Sequence, residues 1–422
     1  MLKKITYKER NKVNQTRIAI DEEELISVKS IIQNVITKKD EAVINYTKQF
    51  DNAWIPDYKV SEEEIEDAYN KQDPILISDL ETAFNNILRF HKLQLPEGYK
   101  YALEKDSIVG QIISPIERVG IYVPGGTAAY PSTVLMNAAP AIAAGVKEIV
   151  MITPPMPDGT VNETILTAAK IAGVTEIYKV GGAQGIAALA YGTKIIKPVS
   201  KIVGPGNIYV ALAKKEVFGK VGIDMIAGPS EILIYAKDDA NPAFVAADLL
   251  SQAEHDKLAR PLLIAKSEAF IKKVDLELIK QLQNLKRNEI ATSALLNNGF
   301  AILVSSDKEA VNVINEVAPE HLELLVDNAL DLILDIKNAG AIFVGEFSPE
   351  PLGDYIAGPN HTLPTSGSAK FSSPLSTEDF LKKTSYINFS KEGLEKYQKS
   401  IRNIAEKEGL TAHANAIKVR FD

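Results

Sequence analysis

From Val119 onward the chain repeats one short rhythm of apolar runs and helical stretches. VGIYVPGG reads as a buried strand ending in a Gly-rich turn, an Ala-rich helix runs through Ala143, and KEIVMITPP forms the next strand. A helix over 162–172, EIYKVGG, AQGIAALAYG, KIVGPG, NIYVALAKKEVFG and IDMIAG continue the alternation. Strands separated by helices of about 10 to 15 residues pair in parallel through right-handed crossovers, which predicts a doubly wound α/β sheet. A second alternating block, with strands in EILIYAKDD, RPLLIAKS, FAILVSS and GAIFVGEF, predicts another. The first hundred residues read as helical and polar, as in DEEELISVKSIIQNVITKKDEAVINYTKQF, and past Phe371 the pattern weakens into a small C-terminal unit. The expected fold is therefore α/β with two Rossmann-like, doubly wound domains and small helical units at each end. Its parts are an N-terminal arm over 1–20, a first α/β domain from 21–118 with 231–371, a second over 119–230, and a terminal unit over 372–422.

Composition removes several function classes. A chain of 422 residues can hold more than one cored domain. It carries 47 basic against 55 acidic residues, a net charge of −8, and no basic run that could track a phosphate backbone, so nucleic acid is not an expected partner. No window approaches the roughly 18 unbroken apolar residues of a membrane span. The start, MLKKITYKERNKVNQTRIAIDEEEL, lacks the apolar core of a secretory signal, and the expected location is the cytoplasm. Cysteine is absent, which excludes disulfides, thiolate ligands and a thiol nucleophile.

Chemistry must then come from His, carboxylates, hydroxyls, Lys or a metal. YVPGGTAAYPS, VGGAQG and VGPGN each place glycines where a strand passes into a helix, the crevice in which open α/β sheets bind ligands. None is a full GxGxxG, so each alone serves equally as a tight turn. Of the five histidines, His91 lies among solvating Arg89 and Lys92 on a short amphipathic helix and reads as surface or packing. The other four each have a carboxylate or carboxamide nearby. His255 follows Gln252 by three residues, a spacing that shares one helical face, and His321 directly follows Glu320. His361 lies seven residues after Asp354 in a Gly- and Pro-rich loop, and His413 five after Glu408. Nitrogen and oxygen donors without sulfur suit Zn²⁺ or another borderline divalent ion, and a base of near-neutral pKa suits alcohol oxidation.

These segments, GIYVPGGTAAYPSTVLMNAAPA, VGGAQGIAALAYG, VGPGN, DMIAGPSE, LLSQAEHD, APEHLEL, GDYIAGPNHTLPTSGSAKFSSPLS and EGLTAHA, together resemble the histidinol dehydrogenase family, in that family's order, from about Val119 to the C-terminus. The resemblance implies an aldehyde-dehydrogenase-like arrangement of the two domains and a zinc enzyme, one Zn²⁺ per active site. It implies oxidation of L-histidinol to L-histidine by two hydride transfers to NAD⁺ through a bound aldehyde. It further implies Gln252, His255, Asp354 and His413 as metal ligands, the same four with Ser230, His321, His361 and Glu408 as substrate contacts, and Glu320 and His321 as the acid–base pair. Tyr122, Gln184 and Asn207 would line the NAD site, and the first α/β domain would carry most metal and catalytic residues. A homodimer whose C-terminal unit reaches the partner's active site is also implied. Competing readings are a zinc- and NAD-dependent dehydrogenase of another small polyol, such as a sulfonated diol, and a metallohydrolase with Glu320 as base. A non-catalytic two-lobed binding protein of periplasmic type fits the α/β pattern but not the export signal it would need.

Overall fold

The fold was obtained as a computed structural model, which describes residues 1–14, 22–55, 57–104, 106–125 and 129–422. The centre of the first Gly-rich turn, Gly126 to Ala128, and residues 15–20 of the expected arm lie outside the described residues. In chain order the strands are β1 (Lys3–Thr6), β2 (Tyr99–Glu104), β3 (Ser107–Pro115), β4 (Arg118–Tyr122), β5 (Glu148–Thr153), β6 (Glu176–Lys179) and β7 (Lys201–Val203). There follow β8 (Gly222–Ile223), β9 (Glu231–Ala236), β10 (Arg260–Ala265), β11 (Phe300–Leu303), β12 (His321–Leu325), β13 (Ala341–Val344) and β14 (Leu381–Asn388). They fall into two compact units, a larger one of Met1–Gln94 with Glu117–Phe380 and a smaller one of Leu95–Ile116 with Leu381–Asp422.

The larger unit holds two wholly parallel sheets, the α/β class that the strand–helix alternation predicts. The five-stranded sheet runs β6-β5-β4-β7-β8, so the order reverses between β4 and β7. The six-stranded sheet runs β1-β11-β10-β9-β12-β13 and reverses between β9 and β12. In β9 and β10 every residue is buried, because a parallel strand is covered by helices on both faces and needs a continuous apolar run. Alternate side chains of β9 feed opposite cores: Ile232 and Ile234 join Val245, Leu249 and Leu278, whereas Leu233 and Tyr235 join Val313, Ile314 and Leu332. The N-terminal helices Glu22–Lys38 and Asp40–Asp51 bring Val28, Ile31, Val35 and Val43 into the core of the five-stranded sheet, beside Ile152, Ile186 and Ile202.

Some segments differ from the expectation. IDMIAG contributes only Ile223 to a strand, the two-residue β8, and the Asp224 side chain after it turns inward to accept from Gly204 N and Met225 N. HLELL, where the sequence marks only an element boundary, is the fully buried strand β12 between β9 and β13. The helix bearing His91 runs over Pro74–Lys92, longer than its short amphipathic core, and His91 is fully buried, bonded through Nδ1 to Gln94 Oε1 at 2.7 Å and through Nε2 to Asn360 Nδ2 at 3.2 Å.

The smaller unit adds to its helices Lys391–Lys407 and Thr411–Lys418 an antiparallel sheet, β14-β3-β2. Strand β14 is mostly exposed, which removes the apolar alternation that would have marked it. Among the described residues no helix is long and apolar enough to cross a membrane.

Asp51 ends the helix Asp40–Asp51 half-buried, with Oδ2 lacking a hydrogen-bond partner among the described residues, and burial pushes its carboxyl from 3.8 up to about 6. Because folding penalises the ionised form, the stability tied to this group is full below about pH 4 and is lost as pH rises through 6. Asp51→Asn is therefore expected to raise stability by about 1–2 kcal/mol at pH 8, after discounting for solvent screening, and to leave it unchanged near pH 3. Paired urea titrations check this, and an equal effect at both pH values would contradict it.

Candidate active site

The carboxyl ends of the five-stranded sheet face the amino ends of β9 and β12 across a cavity of about 320 Å³. Pro124, Gly204 and Asn207 come from the first sheet, and Ser230, Glu320 and His321 from the second. The first sheet thus places its crevice where open α/β sheets bind ligands, at the reversal between β4 and β7. Gln252, His255, Asp354 and His361 also line it. Tyr122, which ends β4, and Gln184, on the helix Gly182–Tyr191 that follows β6, are both buried. Gly182 N donates to the Tyr122 hydroxyl at 3.4 Å, and both amide atoms of Gln184 lack a partner among the described residues. Glu408 and His413 belong to the smaller unit, where both are exposed.

Local geometry explains each placement. Asn241 caps the helix Pro242–Ala253, with Pro242 in its first turn, and the helix stops at Ala253, so His255 lies beyond its end rather than on one helical face with Gln252. A turn closed by His255 N donating to Gln252 O at 3.2 Å brings the histidine to the same cavity. Gln252 is buried and its Oε1 has no hydrogen-bond partner among the described residues. His255 lies open to solvent, but the protein mass around it pushes its pKa down.

The Glu320–His321 step is set by one peptide unit on each side of Glu231. Glu231 N donates to Glu320 Oε2 at 2.8 Å, and the Glu231 carbonyl lies 3.0 Å from His321 Nδ1. A carbonyl can only accept, so Nδ1 carries a hydrogen and Nε2 is the atom left to exchange protons. Nε2 is buried without a hydrogen-bond partner among the described residues, 3.6 Å from Asp354 Oδ1 and 4.0 Å from Glu350 Oε1. Burial pushes Glu320 up to about 8. For His321 burial opposes the charge, but the carboxylates of Glu320, at 3.7 Å, Asp354 and Glu350 outweigh it and draw the imidazole up to about 10. Asp354, despite burial, is held well below the usual carboxylate range by the adjoining His321 imidazole, 3.6 Å away, and by the charge of His361. His361 is pushed down by burial.

Glu350 is the residue that the sequence reading missed. It lies four residues before Asp354 on the short helix Glu350–Tyr355, and the donor atoms of His321, Glu350 and Asp354 fall within 4.8 Å of one another, a group that could hold a metal ion. The Glu-x-x-x-Asp spacing was the available signal, since it sets two carboxylates on one helical face. The prolines and glycine of SPEPLGDY hid it by reading as a loop. Ser251 Oγ donates to Glu350 Oε2 at 2.9 Å, and burial with the Asp354 charge pushes Glu350 up to about 8. The donor set at this corner is nitrogen and oxygen only, and the orphaned Gln252 carbonyl oxygen fits a cation that would satisfy it.

Comparison with known proteins adds an independent line. The family profile described as Histidinol dehydrogenase matches residues 14–421. The histidinol dehydrogenase of Clostridium acetobutylicum is 55% identical over 395 residues, covering 94% of this chain and 92% of its own, and that of Listeria innocua is 54% identical over 396 residues. The crystal structure of histidinol dehydrogenase from Elizabethkingia anophelis superposes with a TM-score of 0.95 at 39% identity, over 99% of this chain and 98% of that one. Aldehyde dehydrogenase 21 from Physcomitrella patens shares the fold alone, with a TM-score of 0.50 at 12% identity over 91% of each chain.

Proposed function

Because the chain belongs to the histidinol dehydrogenase family and is an oxidoreductase of histidine biosynthesis, we propose that its cavity oxidises L-histidinol to L-histidine through L-histidinal, using two NAD⁺ and one Zn²⁺ per site. The observation that carries this reading is that two buried atoms without a hydrogen-bond partner among the described residues, Gln252 Oε1 and His321 Nε2, belong to residues that line one cavity at the sheet ends. Gln252, His255 and Asp354 would hold the cation, with His413 as a fourth ligand and Glu408 as a substrate contact, both delivered from the smaller unit of a second copy in a homodimer. When bound, the metal supplies Lewis acidity and a docking point for substrate nitrogen, and NAD⁺ supplies the hydride acceptor.

The remaining work falls to side chains of this chain. His321 Nε2 accepts the hydroxyl proton as the alcohol carbon loses hydride, while the Glu231 carbonyl holds the ring by Nδ1–H. For that role the imidazole must be neutral. A cation on Asp354 would offset part of the carboxylate field that raises His321, bringing its pKa back toward neutrality. Glu320, in its ionised form, takes a proton from the water that adds to the aldehyde, which prepares the second oxidation. Without a cysteine, the aldehyde is retained by contacts rather than as a thiohemiacetal. Ser230 and His361 flank the substrate, and Tyr122, Gln184 and Asn207 flank the dinucleotide at the five-stranded sheet.

Absorbance of NADH during turnover tests the proposal. Histidinol with NAD⁺ should yield two NADH per molecule consumed, with loss of activity on chelation and recovery with zinc. Turnover of another small alcohol but not of histidinol would overturn the substrate assignment, and hydrolysis without NAD⁺ reduction would overturn the reaction class.

A further inference from the structure

Two buried charges stand in the cavity wall without a part in the chemistry above. Lys214, on the helix Ile208–Val217, and Asp224, just past β8, have side chains only 2% and 1% exposed and form an ion pair through Lys214 Nζ and Asp224 Oδ1. Both also grip a single residue. Gly204 N donates to Asp224 Oδ2 at 2.8 Å, and Lys214 Nζ donates to Gly204 O at 2.8 Å. Asp224 Oδ1 further accepts from Met225 N at 2.6 Å. The backbone donor and acceptor of Gly204 therefore both end on one ion pair.

Gly204 is where that grip matters. It opens the turn from β7 toward Asn207, has φ +114°, and a Cβ there would lie 2.3 Å from the Tyr122 carbonyl oxygen at the end of β4. No side chain can hold this turn from within, because none fits. At its far end Asn207 Oδ1 accepts from Val210 N at 3.2 Å and caps the helix that carries Lys214. The turn is thus fixed at both ends and forms the cavity wall at the strand-order reversal.

Stability alone does not select such a pair, since apolar side chains of the same volume commonly do as well in a protein interior. What they cannot do is satisfy the Gly204 peptide, whose unpaired groups would let the turn move. We propose that Lys214 and Asp224 are positioning residues for the dinucleotide: by pinning Gly204 they hold the turn Gly204–Asn207 in the shape that NAD⁺ binds. The proposal rests on the NAD⁺ reading above.

Steady-state kinetics and direct NAD⁺ titration of the zinc-loaded enzyme test it with Lys214→Met, Asp224→Asn and the charge-free Lys214→Met/Asp224→Leu pair. Each is expected to raise both the KM and the Kd for NAD⁺ about tenfold, the size of one lost charge-assisted hydrogen bond, while KM for histidinol and zinc content stay the same. An unchanged NAD⁺ KM and Kd in folded variants overturns the proposal, even with a lowered Tm, because the pair would then serve stability alone. If Lys214→Met does not fold, Asp224→Asn, which keeps shape and volume, decides by the same two constants. Failure of the unaltered protein to bind NAD⁺ removes the cofactor reading and this proposal with it, whereas tight binding by unaltered and variant proteins alike removes only the proposal.

Discussion

His321→Ala is expected to lower histidinol oxidation by about 10² to 10⁴-fold, the range of a positioned general base, with zinc content unchanged. The reasoning starts from the tautomer. The Glu231 carbonyl can only accept, so Nδ1 keeps its hydrogen and Nε2 is the one ring atom able to take a proton. Alanine removes that atom but none of the atoms of Gln252, His255 or Asp354. It also relieves Glu320 and Asp354 of a cationic neighbour, and the pKa of each is expected to rise in the metal-free protein. Single-turnover NADH formation with metal analysis of the same sample separates the two effects. A wild-type rate would refute the role of His321, and loss of zinc together with activity would move it into the ligand set.

His255→Ala is expected to show the opposite pattern, with metal and activity lost together. His255 lies open at the cavity, its pKa pushed down by the surrounding protein, so at neutral pH the imidazole is unprotonated and able to bind a cation. If His255 holds the proposed ligand role, its removal should weaken zinc binding by more than about 100-fold, beyond the 10- to 100-fold typical of outer partners. Equilibrium dialysis against a zinc chelator measures it, and undiminished affinity would exclude His255 from the site. Mixing His255→Ala with His413→Ala protein extends the test to the proposed homodimer. If a site draws His413 from a second copy, hybrids contain one intact site and regain activity that neither parent has.

Particular strands show what local pattern reveals. β9 and β10 were legible because a strand covered on both faces is apolar at every position, and EILIYA and RPLLIA depart from that only at their first residue or two, Glu231, Arg260 and Pro261. β12 was not, since HLELL opens on a histidine and carries a buried glutamate, Glu323, at its centre. Its strand character depends on pairing with β9 and β13, which no window of the chain contains. β14 escaped notice for the reverse reason, being exposed along most of its length.

The site divides along the same line. Gln252, His255, Glu320, His321, Asp354 and His361 could be named from the sequence because each lies in a short motif of distinctive composition. That they line one cavity follows from strand order: β9 and β12 are neighbours although 84 residues lie between the end of one, Ala236, and the start of the other, His321. Glu350 and Lys214 lie in no such motif, Asp224 only opens DMIAGPSE, and the meaning of all three comes from what they touch. Periodicity and turn chemistry act between near neighbours, so the sequence by itself determined two parallel α/β sheets and the residue types available for catalysis. Which atoms meet, and which buried charges hold a turn in place, was decided only by the tertiary structure, because burial and unpaired hydrogen-bonding groups arise when distant segments close around them.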